Sequence, residues 1–307
     1  MVGVVWGLVS AITWAISNIS IQPAAERYGD LGALLQGQLA GALLAVGAAL
    51  LLDGAPVVPT ATAALGCLVG GAAATIAYLG LFTALRRGQL AVVIPLTSAW
   101  TVVSVLIGAL GLGERLGQGA WLGVAAVIAG NVTLAVAQHH STPSPNGAPC
   151  PPASADGRKT PWSAIAWAVA AAVGFGVMVP AVDVVGEACG RLWAIPMVWL
   201  VEWSWVGMVW VLYRTTGMAS GLFTSARWVR DIEGARLIGR VGLLEVVGFI
   251  TLSIGIGVAP VAVVAPVASL STGLSVVWGV WGRGERLSLA AMGGAALVSL
   301  GVVLVSV

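Results

Sequence analysis

Long apolar runs alternate with short polar breaks along most of the chain. Each run has roughly the 20 residues that a helix needs to cross a hydrocarbon core of about 30 Å. The runs lack the period-two alternation of membrane β-strands. The pattern therefore predicts an all-α integral membrane protein with ten transmembrane helices. The predicted spans are 2–22, 31–52, 61–85, 90–112, 118–138, 162–184, 192–213, 237–258, 261–281 and 287–307.

One break is much longer than the others. Residues 139–161 contain six prolines among Ser, Gly and charged residues, a composition that neither forms a helix nor buries a core. We interpret this segment as a solvated linker. It separates two halves of five spans each, residues 1–138 and 162–307.

The two halves repeat one sequence pattern. A shift of 171 residues aligns 78–136 with 249–307 without a gap, with 22 identities in 59 positions. Apolar composition inflates such a match, but it does not place Pro, Glu and Arg in register. Because five is an odd number of crossings, the second copy enters the bilayer from the opposite face. The sequence thus predicts two inverted five-helix repeats, an architecture suited to alternating access.

The repeated motifs carry a family resemblance. Pro95 and Pro266 lie near the start of the fourth and ninth spans, and Gly-Glu-Arg-Leu follows at 113–116 and 284–287. This arrangement resembles the EamA-type transporters of the drug/metabolite transporter superfamily. The resemblance implies a central cavity between the halves and transport of a small metabolite, often outward. Related small multidrug transporters have an acid in their first helix, where this chain has Asn18 instead.

Composition excludes several classes. Hydrophobic residues make up 59% and charged residues 8% of the chain, too few charges to cover a soluble domain. Its net charge of +2 indicates no nucleic-acid partner. The sequence has no nucleotide-binding loop and no His, Cys or acidic cluster within the spans, so we predict neither an enzyme nor a cofactor or metal site. The expected partners are a small-molecule substrate, the lipid bilayer, and protons or cations as coupling ion; the oligomeric state is left open.

Two acids lie deep inside predicted spans, away from the span ends. Glu202 is near the middle of the seventh span, where an acid costs about 2.5–3.5 kcal/mol on insertion scales. We predict that it faces the cavity and carries a proton or cation; the alternative is a neutral acid held by a local hydrogen bond. Glu245, in the eighth span, is the second proton-coupling candidate. An interfacial pair with Arg240 is its alternative.

Polar residues at membrane depth supply further candidates for the cavity wall. They are Trp14, Asn18, Tyr78, Ser98, Thr101, Ser269 and Thr272. The hydroxyl residues recur in both halves, and either line the cavity or let neighbouring helices approach closely. For Trp14 and Asn18 the alternative is an interhelical hydrogen bond.

Four prolines are candidate hinges, because proline frees a backbone carbonyl within a helix. They are Pro23, Pro95, Pro180 and Pro266. Each is either a hinge or a kink that fits the packing. The Glu-Arg pairs of the two Gly-Glu-Arg-Leu motifs are expected to pair locally or to cap helices.

The basic residues are distributed unevenly between the two membrane faces. Of the 14 Lys and Arg residues, twelve follow the odd-numbered spans, and only Arg115 and Arg191 lie on the other side. The positive-inside rule then places both termini outside a cell membrane.

Together these features predict a secondary active transporter, an exporter of a small metabolite or drug-like solute. A flippase for lipid-linked headgroups is the first alternative. A membrane sensor or scaffold without transport activity is the second.

Overall fold

The computed structural model describes residues 2–111, 117–140, 160–216, 223–224, 226–258, 264, 267–268, 270–285 and 287–305. All regular elements within these ranges are helical. They are α1 (Val2–Tyr28), α2 (Asp30–Leu52), α3 (Ala61–Arg87), α4 (Leu90–Thr97), α5 (Trp100–Gly111), α6 (Gln118–His140), α7 (Trp162–Cys189), α8 (Arg191–Thr216), α9 (Ile232–Val258), α10 (Leu270–Val277) and α11 (Leu289–Val305). A π-helical turn, Trp278–Gly282, continues α10.

Six of the described helices are long and apolar enough to cross a membrane, namely α1, α2, α3, α7, α8 and α9. Shorter apolar helices cover Leu90–Ser104, Trp121–Leu134 and Leu289–Leu304. Large apolar side chains also lie on the outer surface, where Leu43 is 69% and Leu200 is 67% exposed. Such a surface is stable against lipid and not against water. The chain is therefore a multi-pass, all-α membrane protein.

The predicted fourth span is interrupted. Pro95 lies inside α4 and has no N–H for the helical hydrogen bond. The hydroxyl groups of Thr97 and Ser98 donate to the carbonyls of Val93 and Ile94, each at 2.9 Å. The chain then leaves the helix at 98–99 and re-enters it as α5. This break places polar side chains at the middle of the span.

Helix α9 begins five residues before the predicted start of its span. A carboxylate oxygen of Asp231 accepts the backbone N–H of Gly234 at 2.7 Å, which satisfies a free donor in the first turn. Arg236, which precedes the predicted span, therefore belongs to the helix.

Single glycines join two pairs of adjacent helices. Gly29, with φ of 76°, connects α1 to α2, and Gly190, with φ of 102°, connects α7 to α8. Glycine alone adopts positive φ without a steric cost from Cβ. Each pair can therefore reverse direction across one residue.

Contacts between helix ends define two faces of the molecule. The end of α1 meets the start of α9, where Arg27 contacts Asp231 at 3.1 Å. The α3–α4 junction meets the start of α7, because the backbone N–H of Gln89 donates to Thr160 at 3.1 Å. We call this the arginine-rich face. On the opposite, N-terminal face, Asp53 at the end of α2 accepts the backbone N–H of Leu192 at 2.9 Å.

The second Gly-Glu-Arg-Leu motif contacts the first half of the chain. The carboxylate of Glu285 accepts the backbone N–H groups of Leu90 at 3.0 Å and Ala91 at 2.8 Å. Glu285 thus caps the N-terminus of α4, where an anion is favoured by the helix dipole. The sequence did not indicate that the capped helix belongs to the other half. The first motif, residues 113–116, lies outside the described residues.

Candidate functional site

A cavity of about 570 Å³ lies between helices of both halves of the chain. Its walls come mainly from α5, α7 and α9. Helices α1, α4, α8 and α10 contribute further residues, and α3 and α11 contribute one each. Most of the predicted site residues line it, namely Trp14, Asn18, Ser98, Thr101, Glu245 and Thr272. Tyr78 and Glu202 lie behind the wall, and Ser269 lies outside the described residues.

Hydroxyl groups from the two halves meet at the cavity wall. The side chains of Ser98 and Thr272 form a hydrogen bond of 2.7 Å. The 171-residue shift relates Ser98 to Ser269 and Thr101 to Thr272, so this bond joins non-equivalent positions of the repeat. The hydroxyl of Thr101 donates to the backbone carbonyl of Ser98 at 3.1 Å. This bond keeps the polar groups of Ser98 and Thr101 close together where α4 ends and α5 begins. The wall therefore offers a patch of hydroxyl groups for a polar solute.

Glu245, at the middle of α9, is an acid on the cavity wall. One carboxylate oxygen accepts the hydroxyl of Tyr78 at 3.0 Å, and the other accepts that of Ser17 at 3.1 Å. Arg240, the partner that the sequence left open, does not form an ion pair with it. Two neutral hydroxyl groups thus hold the carboxyl group of Glu245 in position. The negative charge of its ionised form can still bind a cationic group in the cavity.

Aromatic rings form the apolar part of the site. Trp14 and Phe249 contact edge to face with ring centroids 5.2 Å apart, and Tyr78 and Phe175 do so at 4.9 Å. Such rings can contact the apolar body of a solute or the face of a cation. The indole N–H of Trp14 is buried and has no hydrogen-bond partner within the described part of the chain. This leaves one donor free beside the cavity.

Glu202 is in a different environment. Its side chain is fully buried, and neither carboxylate oxygen has a partner among the described residues. The hydroxyl of Thr75 contacts its backbone carbonyl at 3.5 Å, not its carboxyl group. The sequence grouped Glu202 with Glu245, but the two acids lie on different sides of the cavity wall.

The cavity extends toward the N-terminal face. There its lining reaches Asp183 and Arg191, at the junction of α7 and α8, whose closest charged atoms are 3.9 Å apart. Both side chains are more than half exposed. This junction forms the mouth of the cavity.

Polar contacts close the arginine-rich face. The fully buried Asp30 forms a two-pronged ion pair with Arg86, with N–O distances of 2.5 and 3.1 Å. Thr224 also binds Asp30 through its hydroxyl, which accepts the backbone N–H of Asp30 at 3.0 Å. Arg283 donates to Gln22 and to the carbonyl of Ile19. These contacts tie α1, α2 and α3 to segments that follow α8 and α10.

The candidate hinge prolines occupy different environments. Pro180 lies within α7 and lines the cavity, and Pro95 interrupts the fourth span. Pro23 lies inside α1, which continues to Tyr28. Pro266 lies outside the described residues.

Sequence reasoning missed several residues of the site. Ser17 binds Glu245, while Phe175 and Arg191 line the cavity. Ser17 is adjacent to the predicted Asn18, but on the helix it points elsewhere, and a serine in an apolar span is usually a packing residue. Arg191 was assigned to a loop by its position alone. No group of three His, Cys, Asp or Glu side chains within the described ranges could hold a metal ion.

Comparisons with known proteins agree with this architecture. A solved structure described only as "Crystal structure of protein" superposes with a TM-score of 0.61 at 16% sequence identity, covering 98% of this chain and 95% of that one. This likeness shows the fold alone. No curated protein matches the sequence. Residues 1–136 match the model of the EamA-like transporter family. The match confirms the predicted resemblance: the first half of this chain is similar to the EamA-like transporter family, which is part of the drug/metabolite transporter superfamily.

Proposed function

We propose that this protein is a secondary active transporter that carries a small, amine-bearing solute through the central cavity by alternating access. The observation that carries the proposal is the position of Glu245, an acid on the wall of a 570 Å³ cavity at membrane depth. The cavity, the acid and the closed opposite face together provide a binding site open to one side.

Inverted halves are one architecture that permits alternating access, and several contacts support this part of the proposal. Gly130 approaches Gly294 while Gly301 approaches Gly123, so α6 and α11 run antiparallel. The 171-residue shift converts one of these contacts into the other. The repeat also relates α3 to α9 and α7 to α1. In agreement with it, α3 packs against α7 and α9 packs against α1. Two halves that exchange roles in this way have two packings of similar energy.

The charges of the cavity support an amine-bearing substrate. Glu245 is an acid on its wall, whereas Arg191 lies at the mouth beside Asp183. A protonated amine would bind Glu245, and its apolar part would contact Trp14 and Phe249. A phosphate headgroup, which the flippase alternative requires, would meet a like charge at Glu245.

The distribution of basic residues supports one membrane orientation. If the arginine-rich face is cytoplasmic, as the positive-inside rule favours, both termini and the mouth of the cavity lie outside the cell membrane. The structure then corresponds to an outward-open state. We propose export of the solute in exchange for protons that enter on Glu245.

Reconstituted protein tests this function directly. Proteoliposomes with a pH-sensitive dye inside are given a size-matched series of protonated amines, neutral amides and carboxylates. We expect amines to move protons across the membrane in the opposite direction, and amides and carboxylates to move none. Proton movement with carboxylates only would contradict the proposal, as would scrambling of fluorescent lipids without any solute flux.

The ion pair of Asp30 with Arg86 provides a test of the closed face. Removing one partner of a buried pair leaves an uncompensated charge, a loss of about 3–5 kcal/mol in known cases. We expect Asp30→Asn to favour the state open at the arginine-rich face. Labelling of Ser98→Cys by a charged thiol reagent from that face should then accelerate by about tenfold or more, the change that about 1.4 kcal/mol produces.

The exposed pair of Arg27 with Asp231 is the matched control for this experiment. Both side chains are more than 40% exposed, and exposed pairs contribute little. Asp231→Asn should leave labelling at Ser98→Cys unchanged. Equal acceleration in both variants would show that Asp30 has no special role in closure.

A further inference from the structure

We propose that Glu202 is a second proton-binding site, closed off from the cavity, which exchanges its proton with Glu245 through Tyr78. The proposal rests on the proposed function, because it describes how the coupling proton is held within the protein. Glu202 is a buried acid that does not line the cavity.

The first observation is the enclosure of Glu202. Its carboxyl group is fully buried with both oxygens unpartnered in the described part of the chain. A Cβ atom added at Gly71 would lie 3.0 Å from the backbone nitrogen of Glu202, so α8 packs directly against α3. An ionised carboxylate without a partner is strongly disfavoured in such a place. Glu202 is therefore neutral in this state, with a proton on its carboxyl group.

The second observation is that Tyr78 connects Glu245 to the helix that packs against Glu202. Its hydroxyl donates to Glu245 at 3.0 Å, and on the same helix the hydroxyl of Thr75 contacts the backbone carbonyl of Glu202 at 3.5 Å. A space of about 10 Å³, lined by Gln38, Tyr78 and Glu245, adjoins this bond and has the size of one water molecule. A hydroxyl group both donates and accepts, so Tyr78 can pass a proton on without changing its own charge.

The exchange balances in protons and charge. Glu202 in its acid form gives its proton to the oxygen of Tyr78, while the hydroxyl proton of Tyr78 passes to the carboxylate of Glu245. Glu202 becomes a carboxylate, Glu245 becomes an acid, and Tyr78 is unchanged. Since neither oxygen of Glu202 is bonded in this state, the step requires rotation of the Glu202 or Tyr78 side chain. The proton is held until that rotation occurs.

The surroundings of Glu202 favour one shared proton. The helices packed against α8 are α2, α3, α7 and α9. Among the titratable groups on these helices, Tyr78 of α3 and Glu245 of α9 interact electrostatically with the carboxyl group of Glu202. The other titratable and charged groups of α2, α3, α7 and α9 lie toward the two faces; they are Asp30, Asp53, Cys67, Arg86, Arg87, Asp183, Glu187, Cys189, Glu233, Arg236 and Arg240. Two neighbouring acids repel when both are ionised, so one proton is retained between them.

Infrared difference spectroscopy of the full-length protein, without any solute, tests the proposal. At pH 7 we expect a C=O band of a protonated carboxyl group that Glu202→Gln removes. Glu202→Asp should shift this band, which gives the same assignment if the Gln variant does not fold. After transfer to D₂O, exchange of this carboxyl proton should be about tenfold slower in Tyr78→Phe than in the unmodified protein, because the variant lacks one hydrogen-bonding group of the proton path.

The control for this measurement is Ser17→Ala, which removes the other donor to Glu245 and leaves Tyr78 in place. Its exchange rate should match that of the unmodified protein. A band that persists in Glu202→Gln, or an unchanged exchange rate in Tyr78→Phe, would overturn the proposal. Because no solute is present, these outcomes are independent of the proteoliposome experiment, in which failure would contradict the transport function alone.

Discussion

Replacing Glu245 by Gln is expected to lower the transport of a protonated amine by about ten- to a hundredfold, because a hydrogen bond to a charged group contributes about 1.5–3 kcal/mol. Gln has nearly the shape of Glu. Its carbonyl oxygen accepts from one of the two hydroxyl groups of Ser17 and Tyr78, and the other hydroxyl can rotate to accept from the Gln amide. The fold should therefore persist while the charge in the cavity is lost. Initial uptake rates in proteoliposomes, at matched amounts of folded protein, measure the effect.

An acid outside the cavity provides the control for Glu245. Glu233 lies near the start of α9, and its side chain is 82% exposed. Glu233→Gln removes the same charge from the same helix and should leave transport unchanged. If Glu245→Gln transports amines at the normal rate and still moves protons, Glu245 is neither the substrate site nor the coupling acid.

Replacing Gly242 by Ala should destabilise the protein by about 1–3 kcal/mol, the range found for overpacked interiors. A Cβ atom at this position would collide with the carbonyl oxygen of Gly37 and lie 2.8 Å from the backbone nitrogen of Gly41. Both obstacles are backbone atoms of α2, which a rotamer change cannot move. Thermal unfolding in detergent should therefore begin at a lower temperature than in the unmodified protein.

Gly239 lies one helical turn away on the same helix and is the matched control. A Cβ atom there would meet nothing within 4 Å. Gly239→Ala should leave stability unchanged or raise it slightly, because Ala has the higher helix propensity. Equal stability of the two variants would contradict the close approach of α2 and α9.

The sequence predicted the class of this protein for a simple physical reason. Lipid requires long apolar helices whose backbone groups are satisfied within each segment, so membrane spans are visible as local patterns. The boundaries of α2 and α7 agree with the predicted spans 31–52 and 162–184 at their starts. The start of α9 was placed five residues too late because residues 232–236 include Glu233 and Arg236, which look like loop residues when hydropathy is the criterion.

The candidate site was predictable only as a set of residue types. An acid at membrane depth is a functional candidate whichever way its side chain points. The sequence therefore indicated Glu202 and Glu245 equally as proton-coupling candidates. Which of them meets the cavity depends on helix rotation and on neighbours distant in sequence. Ser17, which binds Glu245 from 228 positions away, gave no local signal.

The sequence by itself determined that this chain is a helical membrane protein with a repeated sequence pattern, whose first copy resembles the EamA-like family, because hydropathy and motif spacing are local properties. Only the tertiary structure decided that Glu285 caps a helix of the other half, that Asp30 and Arg86 close one face, and that Glu245 meets the cavity while Glu202 is enclosed. These features depend on how helices rotate and cross, and those angles are set by packing between residues far apart in the chain.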